Sequence, residues 1–169
     1  GMGCDGGDSL GDGLYKKIAA TQSFFRKIKE EIPEIVIENC SSGGHRLVSS
    51  MMELASQASF SDAHETTAIP LIAANMHRVI RPEQSQIWAV LRAGDSRERI
   101  IYSLAATFLG RMCLSGDIHD LSDEQWKLVS EGIEFYKKAA DIIKNGCTIL
   151  QEYTTNSYHN PQGGQLVLR

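Results

Sequence analysis

The sequence predicts an α/β fold of four parallel strands with crossover helices, which is half of an eight-stranded (β/α)8 barrel. Three observations carry this reading. Short apolar or β-branched runs alternate with longer segments of helical apolar spacing along most of the chain. The runs are continuous rather than alternating, as strands buried on both faces tend to be. The first two end in polar, turn-forming residues, Cys40-Ser41-Ser42-Gly43-Gly44 and Ser61-Asp62. In an α/β barrel, chemistry sits at those strand ends.

Each element has its own signal. Ser9 to Glu31 carries Leu14, Ile18, Phe24, Phe25 and Ile28 at helical spacing, with Ser9 and Asp12 as a capping pair and Pro33 as a stop. Glu34 to Glu38 runs through Ile-Val-Ile as a first strand. A helix is predicted over Arg46–Leu54, a strand over Gln57–Phe60, and a helix from His64 to about Ile80. Ile87–Leu91 is the third strand, Ser96–Gly110 the next helix and Met112–Leu114 a brief fourth strand. Ser122-Asp123-Glu124-Gln125 opens the last long helix, which stops at Asn145-Gly146. From Thr148 the chain turns polar and Gly-rich and ends in Leu-Val-Leu, as the start of a β-rich module would. The expected organisation is therefore a half-barrel over residues 1–147 and a linker with the beginning of a β-module over 148–169. Pattern alone also admits an open doubly wound sheet, against which stands the absence of a G-x-G-x-x-G or P-loop.

Composition narrows the function classes. With 169 residues, 42% hydrophobic and 22% charged, the chain is long enough for one globular core. A formal net charge of -4, with no basic stripe, gives no reason to expect a nucleic-acid partner. No apolar run reaches the ~20 residues of a membrane helix. Cys4, Cys40, Cys113 and Cys147 lie far apart, and His77, His119 and His159 have no ligand spacing, so neither metal, cofactor nor disulfide framework is expected. A reducing, cytoplasmic setting fits free thiols. Gly1-Met2 reads as an abrupt start, so further chain upstream is expected.

The stretch I-E-N-C-S-S-G-G-H-R, followed by S-D at Ser61-Asp62, resembles the melibiase-type α-galactosidases of glycoside hydrolase family thirty-six, in clan D. These carry an E-x-C-S-S-G-G-x-R turn and then an S-D near the end of the next barrel strand. The likeness extends through Leu121-Ser122-Asp123-Glu124 and Tyr136-Lys137-Lys138 to roughly Gly146, which corresponds to the C-terminal half of a TIM-barrel catalytic domain. The resemblance implies hydrolysis of terminal α-galactosyl residues from oligosaccharides such as raffinose and melibiose, by a retaining mechanism with two carboxyl groups. Asp62 matches the general acid/base, and Cys40 and Gly43 match positions that lie against the galactose hydroxyls. The family's nucleophile sits in a K-x-D strand; no K-x-D occurs in this sequence. The resemblance thus implies a missing upstream half-barrel as partner to the α-galactoside site, an inactive chain on its own, and self-association through open sheet edges.

Plainer readings stand beside these. Asp62 followed by Glu65 has the form of a helix cap, Cys40 that of a buried structural thiol, and Gly43-Gly44 that of a simple turn. His64 reads as a solvated first-turn residue, Trp88 as either a sugar platform or core, Met51-Met52 as helix core, and Arg92-Ala93-Gly94-Asp95 as a loop with an ion pair. The sequence also departs from the family pattern. Ser59 stands where an aromatic is common, Ala63-His64-Glu65 where Asn-Thr-Asp is common, and Val48 where an Asp often follows the turn's Arg. A non-catalytic half-barrel that binds carbohydrate or packs on a partner domain is the competing function.

Overall fold

The computed structural model describes residues 9–40, 44–151 and 165–169. Helix α1 (Asp12–Glu31) is entered through Gly11, whose left-handed backbone (φ 88°) turns the chain into the helix. Gly11 therefore takes the capping place predicted for Ser9, and Asp12 pairs with Lys16 at 2.7 Å instead.

Strand β1 (Glu38–Cys40) starts four residues later than predicted. Pairing decides this more than propensity does. The Ile37 carbonyl accepts bonds from Ser56 and Gln57, and the ladder runs only where β2 (Gln57–Ser59) lies alongside. Helix α2 shrinks from the predicted nine residues to Ser49–Met52. At its entrance the Arg46 carbonyl is held by Asn39 Nδ2 at 2.7 Å, and at its exit the Met52 and Ala55 carbonyls are taken by Gln84 Nε2 at 2.9 and 3.0 Å.

Helix α3 (Ala68–Met76), strand β3 (Ser85–Leu91), helix α4 (Arg97–Ala106), strand β4 (Arg111–Gly116) and helix α5 (Asp123–Asn145) complete the series, with single 3-10 turns before β3, β4 and α5. The C-terminal residues form a separate antiparallel pair, β5 (Thr148–Gln151) and β6 (Gln165–Leu168).

The sheet is wholly parallel with strand order β1-β2-β3-β4. Strand order follows chain order without reversal, so the described strands contain no doubly wound switch point. Ala58 and Ile87 pack with Met52, Ile69 and Ala73 of α2 and α3, while Ala89 and Leu91 pack with Ile100, Leu104, Leu128 and Val129 of α4 and α5. These four strand residues share one face, which the helices cover. The opposite face carries Glu38, Cys40, Gln57, Ser59, Gln86, Trp88, Arg111 and Cys113, and most of it is at least partly exposed.

Candidate active site

The C-terminal edge of the parallel strands brings the two predicted strand-end motifs together. Cys40 is the last residue of β1, its free thiol exposed on the uncovered face and level in register with Ser59 of β2. Ser41, Ser42 and Gly43 lie outside the described residues. The chain resumes at Gly44 with φ 101°, a left-handed conformation that favours glycine. A Cβ there would stand 3.0 Å from the Phe60 carbonyl and 3.1 Å from Leu47. Gly44 therefore lies directly on the end of β2, against Phe60, two residues before Asp62.

Asp62 is exposed in the extended segment between β2 and α3. Ser61 Oγ accepts from the Ala63 amide at 3.1 Å, a local turn that sets the backbone around the carboxylate. The helix-cap reading fails: α3 starts at Ala68 with Thr67 at its cap position, six residues past Asp62. Among the described residues no hydrogen bond or ion pair engages the Asp62 carboxylate. Its carboxyl group thus stands on the strand-end rim, open to solvent. Cys40 is likewise no buried structural thiol.

His64 is exposed but does not stand alone, because its ring lies 5.4 Å from that of Trp88, tilted by 53°. Trp88 projects from the middle of β3 on the uncovered face, partly buried, with its indole Nε1 donating to Gln86 Oε1 at 3.1 Å. Phe60 is no substitute for the aromatic absent at Ser59. By strand alternation it points to the helix side, where it is 5% exposed in the core.

The next rim loop is structural. Asp95 Oδ2 accepts from the Arg92 amide at 2.8 Å, its other oxygen meets Arg99 at 3.0 Å, and Gln125 Nε2 donates to the Ala93 and Asp95 carbonyls. Arg92 reaches Asp117 after β4 at 3.8 Å, which fastens the two rim loops to each other.

A layer of polar side chains that sequence reading missed lies below the rim. Glu38 Oε2 accepts from Gln57 Nε2 at 2.9 Å and Gln86 Nε2 at 2.8 Å, and Gln57 Oε1 accepts from Arg111 Nη1 at 2.8 Å. Arg111 Nε also donates to the Glu83 carbonyl at 2.6 Å. Burial, and then the Glu38 charge, push the Cys113 thiol above its ordinary value. A cavity of about 820 Å³ lies away from the strand-end rim, between His77, Arg81, Lys144 and Thr148, and Asp62 does not line it. Among the described residues no cluster of three His, Cys, Asp or Glu is placed to hold a metal ion, and no helix is long and apolar enough to cross a membrane.

A sequential parallel sheet covered by helices on one face, with a carboxyl group on its strand-end rim, defines a parallel α/β architecture. The melibiase family model matches residues 8–146, and the chain belongs to that family. No curated protein matches it. Among solved structures, a substituted form of the family 36 α-galactosidase AgaA from Geobacillus stearothermophilus, in complex with raffinose, is similar with a TM-score of 0.77 at 16% identity, over 94% of this chain and 22% of that one. The α-galactosidase from Lactobacillus brevis gives 0.75 at 20% identity over 84% and 20%, and the galactosidase domain of the α-galactosidase-sucrose kinase AgaSK gives 0.75 at 18% over 84% and 20%. The chain spans about a fifth of the length of each.

Proposed function

We propose that this chain is the C-terminal half-barrel of a retaining α-galactosidase and supplies its general acid/base, Asp62. The observation that carries the proposal is the exposed Asp62 side chain on the rim, with Gly44 packed against the end of the strand that presents it. In a retaining mechanism one carboxylate attacks the anomeric carbon while the other protonates the departing oxygen and then deprotonates water, the two sitting roughly 5–5.5 Å apart. A rim position open to solvent suits the second role, because both the leaving group and the incoming water must reach it. Cys40 and the Gly43 turn would line the galactose hydroxyls, where glycine lets backbone approach sugar closely.

The nucleophile would come from an upstream half-barrel whose strands pair with the free edges of β1 and β4. Without that half those edges are free to pair with another copy, so the isolated chain would self-associate. The antiparallel β5–β6 pair would begin a C-terminal β-module. Terminal α-galactosides of the raffinose kind are the proposed substrates, in a cytoplasmic setting.

Leaving-group dependence in the assembled enzyme tests the role of Asp62. Asp62→Ala should depress hydrolysis of substrates with poor leaving groups most, since a good aryl leaving group needs little protonation. Water would still lack its base, so added azide should accelerate turnover of the aryl substrate and yield the α-galactosyl azide. Equal loss on all leaving groups in a folded variant, with no azide effect, would reassign Asp62 as nucleophile or binding residue.

A further inference from the structure

The polar layer across the uncovered face has a direction built into it. Glutamine amides have one donor end and one acceptor end, and both ends of Gln57 and Gln86 are engaged. Each gives its NH2 to the same oxygen of Glu38, which leaves the Gln57 oxygen for Arg111 and the Gln86 oxygen for the Trp88 indole. A carboxylate only accepts. Glu38 therefore dictates which way both amides point, and the Trp88 N–H finds an acceptor only because Gln86 is turned that way. The indole in turn faces the His64 ring, two residues from Asp62.

We propose that Glu38 is a positioning residue for the Asp62 rim: through Gln86 it fixes the Trp88 indole, and through the Trp88–His64 contact it fixes the segment that presents Asp62. The proposal rests on the acid/base reading of Asp62 only for its catalytic consequence; the mechanical link stands on its own. Trp88 supplies the aromatic wall of the uncovered face, where Ser59 leaves none on β2. Losing the Glu38 acceptor removes the bond that anchors the Gln86 amide at its NH2 end. Its NH2 then has no partner, the oxygen that accepts from the indole is no longer held in place, and the indole loosens with it.

The experiment compares Glu38→Ala and Glu38→Gln with the parent 169-residue chain by NMR. The chain has two tryptophans, Trp88 and Trp126, so the Trp88 indole N–H is assigned by its loss in Trp88→Phe. In Glu38→Ala, indole hydrogen exchange should accelerate at least tenfold, and the His64 ring resonances should move. Glu38→Gln keeps an oxygen able to accept from both amides, so it should return both signals to within a small shift of the parent. A folded Glu38→Ala chain with unchanged indole exchange and His64 signals would overturn the proposal. Should Glu38→Ala not fold, Glu38→Ser, whose side chain is too short to reach the amides, decides on the same signals: accelerated indole exchange with moved His64 resonances supports the link, and parental signals overturn it. In the assembled enzyme the positioning role predicts a fall in kcat of about tenfold for Glu38→Ala with KM little changed, rescued by Glu38→Gln. If Asp62 proves not to be the acid/base, the kinetic effect disappears while the NMR effect remains.

Discussion

Gly44 joins the two parts of the sequence motif, and its chemistry is that of an atom that is absent. Left-handed backbone costs an L-residue about 1–2 kcal/mol, and a methyl group at Gly44 would also press on the Phe60 carbonyl and Leu47. Gly44→Ala should therefore lower unfolding free energy by about 1–3 kcal/mol in urea titrations. Gly94→Ala, where nothing lies within 4 Å of the added carbon, should stay within about 0.5 kcal/mol of the parent. Equal effects at the two sites would contradict the close packing of the turn on β2. His77 gives a second prediction. Its Nε2 meets the Leu109 carbonyl at 2.6 Å and so carries the proton, which leaves Nδ1 to accept from the Thr148 hydroxyl at 2.9 Å. Burial lowers its pKa from 6.5, and the Leu109 bond only partly opposes this. As pH falls through 6.5 the unfolded chain takes up a proton that the folded chain does not. Stability present above that value is lost toward the depressed folded value, with a slope of at most about 1.4 kcal/mol per pH unit. Urea unfolding between pH ~7.5 and ~5.5 should show this loss, and His77→Gln should flatten it.

At the scale of elements, the strongest local signals gave the truest expectations. The Ser122–Gln125 pair forms a reciprocal capping box on α5, with Gln125 Oε1 accepting from the Ser122 amide at 2.9 Å and Ser122 Oγ from the Gln125 amide at 3.2 Å. Ser122→Ala should cost about 1 kcal/mol. Gln125→Ala should cost more, because the same side chain holds the Ala93 and Asp95 carbonyls of the β3–α4 loop. Urea midpoints rank the two, and the reverse order would show that the loop contacts contribute nothing. β3 and α5 were legible because each carries its own apolar pattern and stop signal. β1 and α2 were displaced because their limits depend on partners distant in sequence, Gln57 for the strand and Asn39 and Gln84 for the helix. Asp62 and Cys40 were legible as members of a spaced motif. The layer of Glu38, Gln57, Gln86 and Arg111 was not, because no sequence spacing reveals four residues on four strands until the register aligns them.

The whole molecule is finished on one side only. Helix α1 has no buried residue and exposes Leu14, Tyr15, Ile18 and Phe24, while α5 exposes Phe135 and Ile142. These helices flank the two edges of the sheet, β1 and β4, each of which pairs with only one of the described strands. Apolar helix faces beside unpaired parallel strands are what a second half-barrel would cover. The central claim is that this chain supplies one carboxylate of a pair whose other member lies in that second half. It is tested by hydrolysis of an aryl α-galactoside by the purified chain alone, and by the chain assembled with the proposed K-x-D half-barrel. No turnover is expected from the chain alone, turnover on assembly, and loss of general acid/base function in the assembly carrying Asp62→Ala. Turnover by the chain alone, or a stably assembled pair without activity, would contradict it.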